Sequence, residues 1–475
     1  MNRQIAQLFA VTVVLFAVLI AATSWNSVFG ASGLAHNPNN RRDLIRDQRI
    51  PRGLILARDG TVLARNRPHG QGQDRFFTRV YPTGPLFSHA VGYSFIRYGR
   101  AGLERSRNDQ LTGQQNEFSS ILSRLENRSR EGNDLVTTLD PAAQRTAIGA
   151  LGGQPGSIVA LEPTTGRIRV MASVPDYDPN LIPSRFGQLQ RATGSPVLNR
   201  ATQGRYAPGS TFKVVTAAAA LDTGKFTPQS VLNGSSPKMI GGAPLSNFGG
   251  EQFGDISLTD ALTHSVNTVW AQVGVRLGAK TLFRYMDRFG FDRNPELDYP
   301  ADQMHPSGVY QGSRLLGPGD PIDIGRVAIG QERLEVTPLQ MAEVAAAIAN
   351  KGKLMRPRLS ERVVAKDGRV IDGFHPARQA RVMSTKAAGQ LAAMMTHVVE
   401  EGTGTAAALS GVRVAGKTGT AERSAGVNQA WFIAFAPVDN PKVAIVATVE
   451  RTSGQGGTVA APMAKRVLEV LLRGR

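Results

Sequence analysis

A serine three residues ahead of a lysine can make an acyl-transfer nucleophile, provided the lysine is neutral. The stretch "YAPGSTFKVV", Tyr206 to Val215, supplies Ser210 and Lys213 at that spacing. A lysine serves as base only where burial and neighbouring positive charge lower its pKa. On a helix, positions i and i+3 share one face. Pro208-Gly209 is a good start for such a helix and places Ser210 at its N-terminus, where free N–H groups and the helix dipole favour an oxyanion. The spacing alone is weak, because Ser235-Ser236-Pro237-Lys238 has it too, although Pro237 argues against a helix there.

Two later stretches add the missing groups. "HSVNTVW" supplies Ser265-Val266-Asn267, and "VAGKTGTAE" supplies Lys417-Thr418-Gly419-Thr420. S-x-N is common: Ser24-Trp25-Asn26 and Ser106-Arg107-Asn108 match it as well. K-T-G occurs once, on a predicted strand. Its glycine has a use there, since a side chain would block close approach to the strand edge. The three motifs in this order, each in fitting secondary structure, are a strong signal.

Composition narrows the chemistry. The 475 residues carry Lys+Arg 55 against Asp+Glu 37, a net charge of +18. The excess is mostly arginine, spread without a dense block and without a nucleic-acid motif, so no nucleic-acid partner is expected. Zero cysteines exclude disulfides and thiolate chemistry. The seven histidines lack metal-ligand spacing, and no Walker or dinucleotide glycine loop is present. No cofactor and no metal are expected.

The elements that position these motifs can be read in order. From Ile5 to Trp25 there is no charge. At about 1.5 Å per residue such a helix reaches roughly 31 Å, enough to cross a bilayer core. Residues 1–26 read as a retained anchor, N-in by the position of Arg3, with the rest exported; a cleaved signal peptide ending near Ala21-Ala22-Thr23-Ser24 is the competing reading. Residues 27–42 read as a linker and 43–150 as a modest, irregular module with short strands around Asp59-Gly60. The main domain is placed at 151–475. It opens with two strands about Thr164-Thr165-Gly166, continues through helices that include "TPLQMAEVAAAIANKG", and closes with three strands and a helix. That order describes an α+β domain, an antiparallel sheet covered by helices.

The motif set resembles the penicillin-binding protein and serine β-lactamase superfamily. "NRATQGRYAPGSTFK", "GQERLEVTPLQMAEVAAAIANKG", "GTGTA" at Gly402–Ala406 and "VAGKTGTAE" look like its transpeptidase domain. Arg52-Gly53, "RVYP" at Arg79–Pro82, "HAVG" at His89–Gly92 and "GRAGLE" at Gly99–Glu104 resemble the pedestal of class B members, closest to the actinobacterial penicillin-binding protein A group. The interval before the main domain is too short for a glycosyltransferase domain, so glycan polymerisation would fall to a membrane-embedded partner.

The resemblance implies a peptidoglycan D,D-transpeptidase at the plasma membrane, serving division or elongation with its partner proteins, and inhibited by β-lactams. Ser210 would attack the penultimate D-alanine carbonyl of a stem peptide, with Lys213 as base. Ser265 would relay a proton to the departing D-alanine. Asn267 would hold the peptide backbone and Lys213. Lys417 would supply positive charge for the substrate carboxylate, near the Thr418 and Thr420 hydroxyls and Gly419. Backbone N–H groups of Ser210 and Thr420 would form the oxyanion hole. Val266 stands where relatives have aspartate. A β-lactamase is disfavoured by the absence of an E-x-x-L-N segment. A D,D-carboxypeptidase shares the first half-reaction, and a non-catalytic wall-binding scaffold would use the same pocket only to bind. For Arg79 and Glu104 a structural ion pair is expected, and for His264 a packed neighbour.

Overall fold

The computed structural model describes residues 2–28, 48–113 and 131–473. The helix Asn2–Val28 contains, from Arg3 to Trp25, the one helix among the described residues long and apolar enough to cross a membrane. The expected linker lies outside the described residues from residue 29 onward.

The centre of the C-terminal body is a five-stranded antiparallel sheet. Its order is Ala415–Ser424, Val427–Ala436, Val443–Thr452, Gly156–Leu161, Ile168–Val174. Strand side chains alternate between faces, and here both faces are buried. Ile158, Ala160, Phe432, Ala434, Ile445 and Ala447 pack on one side, against Ala143, Ala147, Val467 and Leu468 of the helices Pro141–Leu151 and Ala461–Arg473. Val159, Leu161, Trp431, Ile433 and Val446 pack on the other, in a larger core with the helix Pro338–Ala349. That helix is buried along its whole length. Pro338 occupies its first turn, and Thr337 Oγ1 accepts from Gln340 N over 3.2 Å, a cap of the kind that contributes about 1 kcal/mol. The expected hairpin about Thr164-Thr165-Gly166 joins Gly156–Leu161 to Ile168–Val174, with Gly166 at φ 74°.

The two modules share a sheet. Its six strands run Val370–Gly373, Ser360–Val364, Asp134–Thr137, Ile55–Leu56, Val62–His69, Phe76–Val80. The first two come from the middle of the C-terminal body and pair onto the N-terminal module through Asp134–Thr137. Asp298 strengthens the junction: it accepts from Leu359 N at 2.7 Å and Ser360 N at 2.9 Å and pairs with Arg107 at 2.8 Å. The helix Pro141–Leu151 straddles the expected boundary at 150/151. It packs with the C-terminal body, and its Asp140 cap accepts from Ala142 N and Ala143 N.

Candidate active site

Ser210 sits on a single 3₁₀ turn, Gly209–Phe212, and the α-helix begins only at Lys213. The expected α-helical start is thus tighter by one turn, and i and i+3 still face one way. Gly209 makes the turn possible with φ 52°. Its N–H donates to Gly330 O at 3.0 Å. Behind the turn, Trp431 Nε1 donates to Ala207 O at 3.0 Å, and Tyr206 OH bonds Glu450, which also pairs with Arg200 at 2.8 Å.

The serine of the middle motif owes its position to an unusual backbone. Ser265 has φ 60° between the helices Leu258–Thr263 and Asn267–Leu277. A non-glycine residue held there typically costs about 1–3 kcal/mol. The turn aims three oxygens at one point. Lys213 Nζ donates to Ser265 O at 2.6 Å, Asn267 Oδ1 at 2.7 Å and Ser265 Oγ at 3.2 Å.

Lys417 comes from the sheet's edge strand, Ala415–Ser424. Its Nζ donates to Thr418 O at 3.2 Å. Thr418 Oγ1 lies 2.6 Å from Thr403 Oγ1, and Thr420 Oγ1 accepts from Gly456 N at 3.2 Å. Gly419 is where the strand passes the Ser210 turn: a Cβ there would lie 2.8 Å from Pro208 O and 3.1 Å from Thr211 N.

Both lysines are fully buried. Burial, and then the charge of Lys417, push the Lys213 ammonium well below its ordinary range. Burial alone brings Lys417 down to about 7. Lys213 therefore has a neutral form within reach of physiological pH, while Lys417 titrates near it.

Above these groups opens a cleft of about 640 Å³, lined by Ser210, Ser265, Asn267, Thr418, Gly419 and Thr420 among others. Ser210 Oγ lines it without a hydrogen-bond partner among the described residues. All eight expected site residues thus come together, Lys213 and Lys417 from beneath. The second S-x-x-K does not: Lys238 Nζ donates to Asn233 O and Oδ1, and Ser235 and Lys238 are absent from the cleft wall. His264 stacks on Phe253 at 5.9 Å and lines the cleft as a neighbour. Sequence reasoning missed Asn247 and Phe248 in the wall, and gave no role to Thr403 and Glu422 although both lie in stretches that carry the resemblance. Phe248, 60% exposed before Gly249-Gly250, is the one whose type could have signalled a binding lip.

Residues 156–469 match the penicillin binding protein transpeptidase domain, and residues 52–135 the penicillin binding protein A dimerisation domain. The chain is a class B penicillin-binding protein. This penicillin-binding protein is 35% identical over 501 residues, covering all of it and 99% of the relative, to the peptidoglycan D,D-transpeptidase PbpA of Mycolicibacterium smegmatis. Identity to the peptidoglycan D,D-transpeptidase PbpA of Mycobacterium tuberculosis is 34% over 502 residues, covering both chains completely. Among solved structures, the ceftriaxone acyl-enzyme complex of penicillin-binding protein A from M. tuberculosis matches with TM-score 0.80 and 34% identity, over 90% of this chain and 100% of that one. The D,D-transpeptidase domain from Eggerthella lenta matches with TM-score 0.78 and 33% identity, over 90% and 99%.

Proposed function

We propose that this penicillin-binding protein is a peptidoglycan D,D-transpeptidase acting through a Ser210 acyl-enzyme. The observation that carries the reading is Lys213: fully buried, bonded only to neutral oxygens, and lowered further by Lys417. Neutral Lys213 takes the Ser210 proton as Oγ bonds to the carbonyl carbon of the penultimate D-alanine. The oxyanion is held by the N–H groups of Ser210 and Thr420, each such donor typically contributing a factor of about 10²–10³. As the C–N bond breaks, the proton passes from Lys213 through Ser265 Oγ to the departing D-alanine amine. Asn267 keeps Lys213 aimed and holds the donor backbone. Lys417 with Thr418 and Thr420 holds the terminal carboxylate. A neutral amine of a second stem then attacks the ester carbonyl, gives its proton back along the same route, and frees Ser210. A β-lactam enters as the donor does and remains on Ser210.

The apolar helix would hold the catalytic body on the outer face of the plasma membrane, N-terminus inside. A separate membrane-embedded polymerase, working with division or elongation proteins, would supply glycan strands.

Two experiments test this. Fluorescent penicillin should label the wild type and not Ser210→Ala, with the adduct located by mass spectrometry; no adduct on folded wild type would favour a wall-binding scaffold. A stem-peptide donor offered with an amine acceptor should give cross-linked product, whereas hydrolysis alone would make the enzyme a D,D-carboxypeptidase. The absence of cysteine makes topology simple to check. A cysteine at exposed Arg369 should react with an impermeant maleimide in intact cells.

A further inference from the structure

The cleft's exposed charge is opposite in sign to the chain's. The protein carries +18, yet no arginine or lysine is among the residues that line the cleft, and its two carboxylates are Glu251 and Glu422. Glu422 is exposed and its carboxylate makes no ion pair or hydrogen bond among the described residues, in a protein where arginine–carboxylate pairs are frequent. It also stands on the catalytic strand. Thr418, Thr420 and Glu422 alternate along Ala415–Ser424, and all three line the cleft.

Strand geometry turns this into a statement about the substrate, resting on the transpeptidase reading above. Ala415–Ser424 is a sheet edge, so an extended peptide can pair with its free side. The donor's terminal carboxylate belongs at the Lys417–Thr418 end, where the ammonium and hydroxyls are. The scissile carbonyl belongs at Thr420. The peptide must then run antiparallel to the strand, and its earlier residues head toward Glu422. Residues two apart on a strand are separated by about 7 Å. The residue before the penultimate D-alanine covers roughly half of that by its backbone step, and a long side chain spans the rest.

The geometry points to Glu422 as the group that selects a donor stem whose third residue ends in a cation. Its carboxylate pairs with the side-chain ammonium of a diamino acid and disfavours a neutral terminus at that place. Glu251, also in the cleft wall, keeps the surrounding field negative.

The experiment compares two pentapeptide donors that end in D-Ala-D-Ala, one with lysine at the third position and one with Nε-acetyl-lysine. Release of D-alanine gives kcat/KM for each with wild type, Glu422→Gln and Glu422→Asp. Wild type should prefer lysine by about 2–5-fold, as expected for one exposed charge pair. Glu422→Gln should bring that ratio to near one, and Glu422→Asp should retain most of it. An unchanged ratio in Glu422→Gln, or no preference in wild type, overturns the assignment. Penicillin acylation of wild-type Ser210 tests the underlying reading separately: it can succeed while the donor ratio fails.

Discussion

Lys213 Nζ lies 2.7 Å from Asn267 Oδ1, and every acceptor around that nitrogen is an uncharged oxygen. A lysine opposed by a carboxylate would stay protonated. A lysine held by amide, hydroxyl and carbonyl oxygens in a buried site, with a second lysine charge nearby, is made basic in the useful sense. The same oxygens orient it.

The acylation rate should therefore depend on pH with two limbs. Lys213 must be neutral to take the Ser210 proton, so the rate rises with pH through its lowered pKa, well below 10.5. Lys417 must be charged to hold the substrate carboxylate, and its pKa of about 7 sets a fall above neutrality in the free enzyme. Because the lysines repel each other, the limbs belong to the pair. Stopped-flow penicillin acylation followed from acid to alkaline pH should show both limbs; a flat profile would contradict this account.

Lys417→Met should remove acylation and stabilise the fold. The folded pKa of Lys417 is about 7 against an ordinary 10.5. Between those values the unfolded chain binds more protons, so stability rises with pH across the window, and the burial penalty is fully present below it. Methionine removes the penalty. Tm should rise by roughly 2–3 °C at pH 7, about 2 kcal/mol, with the gain vanishing toward pH 10.5. An equal gain at both pH values would point to packing instead.

Much of this site was legible because its motifs are local. Ser210 with Lys213, and Lys417 with Gly419, lie within one turn or one strand segment, so type and spacing carried the signal. Ser265 did not stand out among three S-x-N matches; what distinguishes it is φ 60° between two helices, which the motif does not encode. The shared sheet was invisible for a different reason. Ser360–Val364 finds Asp134–Thr137 more than two hundred residues away, and no composition change marks either partner. Phe248 and Thr403 reach the cleft only through tertiary folding.

Gly419→Ala should slow acylation by about 10²-fold with little loss of Tm. Its Cβ would press on Pro208 O and Thr211 N, both backbone atoms of the turn that carries Ser210. Displacing a nucleophile by a fraction of an ångström to 1 Å costs about that much. Single-turnover labelling with fluorescent penicillin gives the rate, and thermal unfolding the stability. A normal rate would mean that the turn yields without moving Ser210.

The N-terminal module carries its own dependence on a single carboxylate. Glu104 is fully buried and pairs with Arg52 at 2.8 Å and Arg79 at 2.6 Å. Burial would raise its pKa, but the two guanidinium groups outweigh burial and hold it below the ordinary carboxylate range. Both arginines spend their remaining donors on the module's frame: Arg79 on Gly53 O and Asn66, Arg52 on Asn108. Glu104→Gln would leave two buried cations facing a neutral amide, a loss of about 3–5 kcal/mol. The carboxylate's contribution is present above its unfolded pKa and is lost as pH falls through the folded one. The variant's deficit should thus be full at pH 7 and shrink in strong acid. Thermal unfolding across pH, with penicillin labelling per folded molecule unchanged, would place the effect in the module; a deficit that ignores pH would assign it to packing.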